Sequence, residues 1–238
     1  MKPNRGFLRH VMLWVNVALI ASVCVLNYFY QTQSFNYTLK CRTSTCFAVL
    51  AVLNLLWSLW ADRQNWKVYA LLCLGLLLAR QGDLAINHNF VKGASIFAAG
   101  HVFLVAAYCV AQPPRWKDLL WILPPALGSL AFLLFYPYLF FTYSSQRTVC
   151  FVYAVIISCM LGKAVSNFCR RPSLFTGLLA GGSALFFFSD FMLLLHWFVR
   201  RWRWTDNACM ATYYPAVCLI ALAIFVLLRR QTQKVRYI

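Results

Sequence analysis

Long apolar runs separated by short polar connectors recur along the whole 238-residue chain. An α-helix needs about 20 apolar residues to cross a bilayer. Runs of that order lie at roughly 8–30, 44–61, 67–87, 91–111, 118–136, 147–169, 173–199 and 211–228. The connectors are too short to hold a soluble domain. The pattern therefore predicts an all-α, polytopic membrane bundle of eight transmembrane helices, with residues 1–238 forming a single transmembrane domain. Aromatic residues near the run ends (Trp60, Trp66, Trp116, Trp202, Trp204 and Tyr213) fit interfacial belts. The first run follows Lys2, Arg5 and Arg9, as a signal peptide would. It is too long for one and lacks a small-x-small cleavage site, so it is expected to stay as the first helix.

Composition agrees with a multi-pass integral membrane protein. Hydrophobic residues make up 62% and charged residues 11% of the chain, which excludes an ordinary soluble domain. A net charge of +17 invites a nucleic-acid reading, but the basic residues sit in short loops between runs. No nucleic acid is expected. The larger share of Lys and Arg falls on the side of the N-terminus, so the positive-inside rule places both termini in the cytoplasm. The expected location is a bacterial inner (cell) membrane, with the surplus charge on anionic lipid headgroups. Ten cysteines form no CxxC and have no histidine at zinc spacing. They read as packing residues, and neither a metal nor a cofactor is expected.

The acidic residues are more informative. The chain has no glutamate and five aspartates. Asp62, Asp118 and Asp206 fall in predicted connectors, whereas Asp83 and Asp190 lie inside apolar runs. A charge at membrane depth costs a few kcal/mol, so it is rarely there without a use. Both aspartates come late in outward-running helices, roughly 25 Å from the inner end at the helical rise. Lys40 and the pair Tyr213–Tyr214 open inward-running helices, and His101 lies near mid-depth of another. These groups come from distant parts of the chain and converge on one level.

Local spacing separates the two aspartates. Asp83 has Arg80 and Asn87 at i−3 and i+4, which share its helical face. Asp190 follows Ser189 and has no basic residue on its face, so it must be protonated, solvated or paired with another helix. Each feature also has a plainer reading. Arg80–Asp83 can be a structural ion pair, Lys40 a snorkelling side chain, His101 an interhelical hydrogen bond, and the tyrosines belt residues. The chain has no GxSxG, no HExxH and no Gly-rich phosphate loop, so serine-lipase or zinc chemistry has no support. Two readings remain: acid–base catalysis by the two carboxylates, or a transporter or sensor that uses them as a proton relay.

At these residues the chain resembles the YhhN-like family of lysoplasmalogenases, membrane hydrolases of lysoether lipids. The resemblance runs from about Lys40 to the last helix. The family's Gly-Asp motif with a downstream glycine and histidine resembles GDLAINHNFVKGASIFAAGHVF and brings in Gly82, Asp83 and His101. A small-residue run leading to Ser-Asp resembles GGSALFFFSDFMLL and brings in Ser189 and Asp190. The closing signature resembles TYYPAVCLI, with Thr212, Tyr213, Tyr214 and Ala216, and the early lysine resembles Lys40. Val217 and Leu104 stand where the family usually has glutamine and an aromatic residue.

The resemblance implies hydrolysis of the vinyl ether (1-alkenyl) bond of a lysoplasmalogen, to a fatty aldehyde and glycerophosphoethanolamine or glycerophosphocholine. Vinyl ethers hydrolyse through rate-limiting protonation of the β-carbon and an oxocarbenium ion, a task suited to paired carboxylates. Asp190 is the expected general acid, because desolvation favours the neutral form of a carboxyl group. Asp83, beside Arg80, is expected to stay charged. His101, Tyr213, Tyr214, Ser189 and Asn87 are expected to line the substrate site, with Lys40 meeting the phosphate. Val217 keeps another lysolipid substrate open.

Overall fold

The computed structural model describes residues 5–33, 36–61 and 63–226. It contains α1 (Arg5–Thr32), α2 (Tyr37–Ala61), α3 (Trp66–Ala85), α4 (Phe90–Ala111), α5 (Leu119–Phe135), α6 (Ser144–Arg170), α7 (Leu174–Phe198) and α8 (Arg203–Val226). A 3-10 turn at Trp116–Asp118 precedes α5. All eight helices are long and apolar enough to cross a membrane, and the described residues form no strand.

Two helices begin well before their apolar runs. The structure starts α2 at Tyr37 rather than near residue 44, and α8 at Arg203 rather than near residue 211. Both added turns are polar, which hides them from a hydropathy pattern. They are helical because they face protein: Lys40, Thr43, Ser44 and Thr205 are all buried. Thr43 returns its hydroxyl to the Leu39 carbonyl at 2.8 Å, so a hydroxyl costs the helix no unpaired donor.

Asp206 therefore lies in the first turn of α8 and not in a connector. Asp118 is also no solvated loop residue. It is buried at the head of α5, where Lys163 reaches it at 2.7 Å, Ser166 donates at 2.5 Å, and Arg170 lies at 3.4 Å. That node fastens the start of α5 to the end of α6. Asp62 lies outside the described residues.

α8 is the interior helix: it packs against α1, α2, α3 and α7. Hydrophobicity cannot select the inward face of such helices, because lipid tails are as apolar as leucine. Small and polar residues do the sorting. Asn16 of α1 and Asn54 of α2 exchange amide hydrogen bonds at 2.9 and 2.8 Å. Asn54 also donates to the Ala221 carbonyl of α8 at 2.9 Å, and Ser58 to that of Ile224 at 2.8 Å. Close backbone approach needs glycine at two points. A Cβ on Gly93 of α4 would lie 2.5 Å from Cα of Ile86, and one on Gly162 of α6 would lie 2.5 Å from Cα of Ile122.

These contacts make the glycines unequal. Gly93→Ala must push backbone apart and is expected to cost about 1–3 kcal/mol. Gly128→Ala, where an added Cβ meets nothing within 4 Å, is expected to be neutral or slightly stabilising. Thermal unfolding of the two variants in detergent checks the contrast; equal melting temperatures would refute it.

Candidate active site

Asp83 sits in the last turns of α3 and is 2% exposed. Gly82 beside it leaves room for the Phe97 ring, which would lie 2.7 Å from a Cβ at that position. The carboxylate is held from two other helices. Lys40 of α2 approaches Oδ1 at 2.9 Å, Ser44 of α2 donates to Oδ2, and the Tyr214 hydroxyl of α8 donates to Oδ2 at 3.3 Å. Lys40 is itself 2% exposed and donates to Oδ1 of Asn87 at 3.1 Å.

This corrects the expected pairing. Arg80 shares a helical face with Asp83, yet its guanidinium donates to Oγ1 of Thr45 at 3.2 Å on the exposed side of the bundle. There its head lies outside the packed interior, which avoids the cost of enclosing an unpaired arginine. Lys40 supplies the buried counter-charge instead. It is neither a snorkelling residue nor free for a phosphate alone.

Asp190, two-thirds of the way along α7, has partners on two further helices. Tyr153 of α6 donates to its Oδ2 at 2.5 Å, and Nε2 of His101 on α4 lies 3.4 Å from the same oxygen and 2.7 Å from the Tyr153 hydroxyl. With hydrogen on Nε2, His101 donates to Tyr153, which donates to Asp190. The buried Nδ1 of His101 then has no hydrogen-bond partner. The basic group that Asp190 lacks on its own face thus comes from α4. Arg147, at the same sequence offset from Asp190 as Lys40 is from Asp83, packs over the Phe151 ring instead.

Aromatic rings separate the two clusters. Phe186 packs edge-on against His101 with centroids 4.6 Å apart and against Tyr213 at 5.3 Å, while Phe97 lies 5.9 Å from Tyr213. Tyr213 belongs to this wall: its hydroxyl donates to the Ala79 carbonyl at 3.2 Å rather than to a carboxylate. Ser189 faces Cys209 of α8 at 3.6 Å and likewise touches neither aspartate. Val217 is fully buried in the apolar core. Among the described residues no group of three or more His, Cys, Asp or Glu could hold a metal.

Ser44 and Tyr153 were missed by sequence reasoning. Ser44 lies one turn after Lys40 and so shares its face, a spacing that could have flagged it. Tyr153 is one more aromatic in an apolar run. Its only clue is that a phenol at mid-span needs a partner.

Two cavities reach the charged residues of these clusters, and a third of about 450 Å³ between α1 and α8 touches Tyr214. A narrow apolar one of about 70 Å³ opens between α4, α5, α6 and α7 and ends on Tyr153 and Asp190. A larger one of about 510 Å³ reaches Lys40 and Asn87 and carries His196, Arg201, Arg203 and Asp206 on its walls. Ile86 and Leu193 line both, so the apolar and polar cavities lie side by side across these two side chains.

The chain is 29% identical over 194 residues to a human protein named lysoplasmalogenase TMEM86A, across 78% of this chain and 76% of the relative. No solved structure matches. The family model described as the YhhN family matches residues 35–224, a stretch that holds Lys40, both aspartate clusters and the lining of the apolar and polar cavities apart from Tyr30, and the chain belongs to that family.

Proposed function

We propose that the protein hydrolyses the vinyl ether bond of lysoplasmalogens, releasing a fatty aldehyde and glycerophosphoethanolamine or glycerophosphocholine. The observation that carries this reading is the side-by-side placing of the apolar and polar cavities. The apolar cavity is lined by the Asp190 carboxyl group, and the polar cavity by Lys40, the partner of Asp83. A lysolipid has the same division, with the vinyl ether at the junction of chain and glycerol. The family membership and the name of the human relative support the same chemistry.

In this reading Asp190 is the acid, because it faces the cavity that takes the alkenyl chain. Its proton goes to the β-carbon, the C=C π pair forms the new C–H bond, and the α-carbon becomes an oxocarbenium ion. Water adds to that carbon and gives up a proton to the Asp190 carboxylate. The hemiacetal then collapses: Asp190 protonates the glycerol oxygen as its bond to carbon breaks, and the hemiacetal hydroxyl returns a proton to Asp190 as its oxygen becomes the aldehyde C=O. Asp83, across the wall of Phe97, Phe186 and Tyr213, remains a carboxylate and stabilises the cation through its field. His101 acts on Asp190 through Tyr153, and the Ser44 and Tyr214 hydroxyls hold Asp83 in place. By the charge bias of the loops, both termini are cytoplasmic and the site lies in the outer half of the membrane.

Asp83→Asn and Asp190→Asn keep side-chain shape and remove the carboxylates. Each is expected to lower aldehyde release from purified protein in detergent by about 100-fold or more. Near wild-type release by either variant would sink the two-carboxylate mechanism. Solute flux that needs a sealed vesicle, without aldehyde release in detergent, would favour a proton-relay transporter.

Tyr153→Phe removes the hydroxyl between His101 and Asp190. A hydrogen bond to a charged group is worth about 1.5–3 kcal/mol, so kcat is expected to fall about 10-fold or more with KM little changed. Steady-state kinetics on a lysoplasmalogen separate the two parameters. An unchanged kcat would remove Tyr153 from the mechanism.

A further inference from the structure

The early start of α8 places Asp206 on the wall of the larger cavity, half-buried. Among the described residues it is the one acidic group lining that space. None of the basic groups around it bonds to it. Lys40 holds Asp83 and Asn87. His196 places Nδ1 3.2 Å from the Trp202 carbonyl and from Oγ1 of Thr205. Arg201 lies over the Trp197 ring, and Arg203 reaches the Gln31 carbonyl at 3.5 Å.

Asp206 makes no hydrogen bond or ion pair with any described residue. His196 and Lys40 act on it only through space, and a carboxylate drawn out of bulk water with no bonded counter-charge is costly to keep, unless a ligand supplies the cation. The cavity is thus polarised: two arginines stand at its mouth, and a lone carboxylate stands within.

We propose that this cavity reads a zwitterionic headgroup: Asp206 accepts the headgroup ammonium of a lysolipid, while Arg201 and Arg203 hold its phosphate. The inference rests on the lysolipid reading above and deepens it. An alkenyl chain in the apolar cavity passes Ile86 and Leu193, and its glycerophosphate end emerges in the polar one. In phosphoethanolamine or phosphocholine a two-carbon arm joins phosphate to ammonium, so both charges enter one cavity of about 510 Å³. A bare phosphate or a glycerol headgroup brings the anion without the cation. Asp206 is then left unpaired beside a like charge, which costs affinity.

The test uses the purified full chain in detergent and 1-alkenyl lysolipids of one chain length, with ethanolamine, choline or bare phosphate as headgroup. For Asp206→Asn, KM for the ethanolamine and choline lipids is expected to rise about 10-fold, the scale of one charge pair (hydrogen-bonded for ethanolamine, coulombic alone for choline), with kcat within about twofold. KM for the bare-phosphate lipid is expected to hold or fall. Asp206→Lys is expected to invert the preference. An equal change for all three lipids, or no change for the ethanolamine lipid, overturns the proposal.

If wild-type protein releases aldehyde from none of them, the hydrolase reading fails and binding decides the headgroup question. A 1-alkyl lysophosphatidylethanolamine should then raise the melting temperature of the wild type more than that of Asp206→Asn, with no such difference for 1-alkyl glycerophosphate. Equal shifts for both proteins overturn the headgroup site as well.

Discussion

Hydrocarbon offers a charge nothing to bind, so an ionised side chain carried between helices must find its counter-charge on another helix. That constraint organises this bundle. Lys40–Asp83 ties α2 to α3, and Tyr214 brings α8 onto the same carboxylate. Lys163 and Ser166 tie the end of α6 to Asp118 at the head of α5. His101, Tyr153 and Asp190 join α4, α6 and α7. Removing one partner of a buried pair leaves an uncompensated charge, at roughly 3–5 kcal/mol. The same links fix which faces of uniformly apolar helices turn inward, a choice that hydrophobicity alone leaves open.

The number and length of the helices could be read from the sequence because bilayer thickness imposes them. Their ends could be read only where they coincide with the ends of apolar runs. α2 and α8 fail that condition. Residues 37–43 and 203–210 are polar, yet Lys40 and Thr205 are buried against neighbouring helices, where polarity serves pairing. A hydropathy pattern takes such turns for connectors. For that reason Asp206 was placed outside a helix and its lining of the polar cavity went unseen.

The two aspartates were visible as candidates, but their partners were not. Spacing along one helix names neighbours on a face, and it named Arg80 for Asp83. Across helices the sequence holds no such ruler. Lys40, Ser44 and Tyr214 reach Asp83 from two other helices, and Tyr153 reaches Asp190 from α6. Long side chains settle the outcome as well: Arg80 can carry its charge to the exposed edge, whereas Lys40 is enclosed and must pair.

The proposed division of labour between the carboxylates therefore rests on different ground from the one the sequence offered. Both have a basic partner, so the mere presence of one does not distinguish them. The kind of partner does. An ammonium group at 2.9 Å and two hydroxyls surround Asp83 with donors alone, the setting of a carboxylate that would stabilise an oxocarbenium ion. Asp190 is bonded to a phenol, which can donate or accept, and through it to an imidazole that can hold its proton on either nitrogen. Such a chain can serve an acid that gives up a proton and later takes one back, because each member can reverse its role without leaving an ion unpaired. Asp190 also ends the apolar cavity, where the reacting β-carbon would lie, and Asp83 does not line it. Access and partner chemistry thus point the same way, which the residues on Asp83's own helix did not.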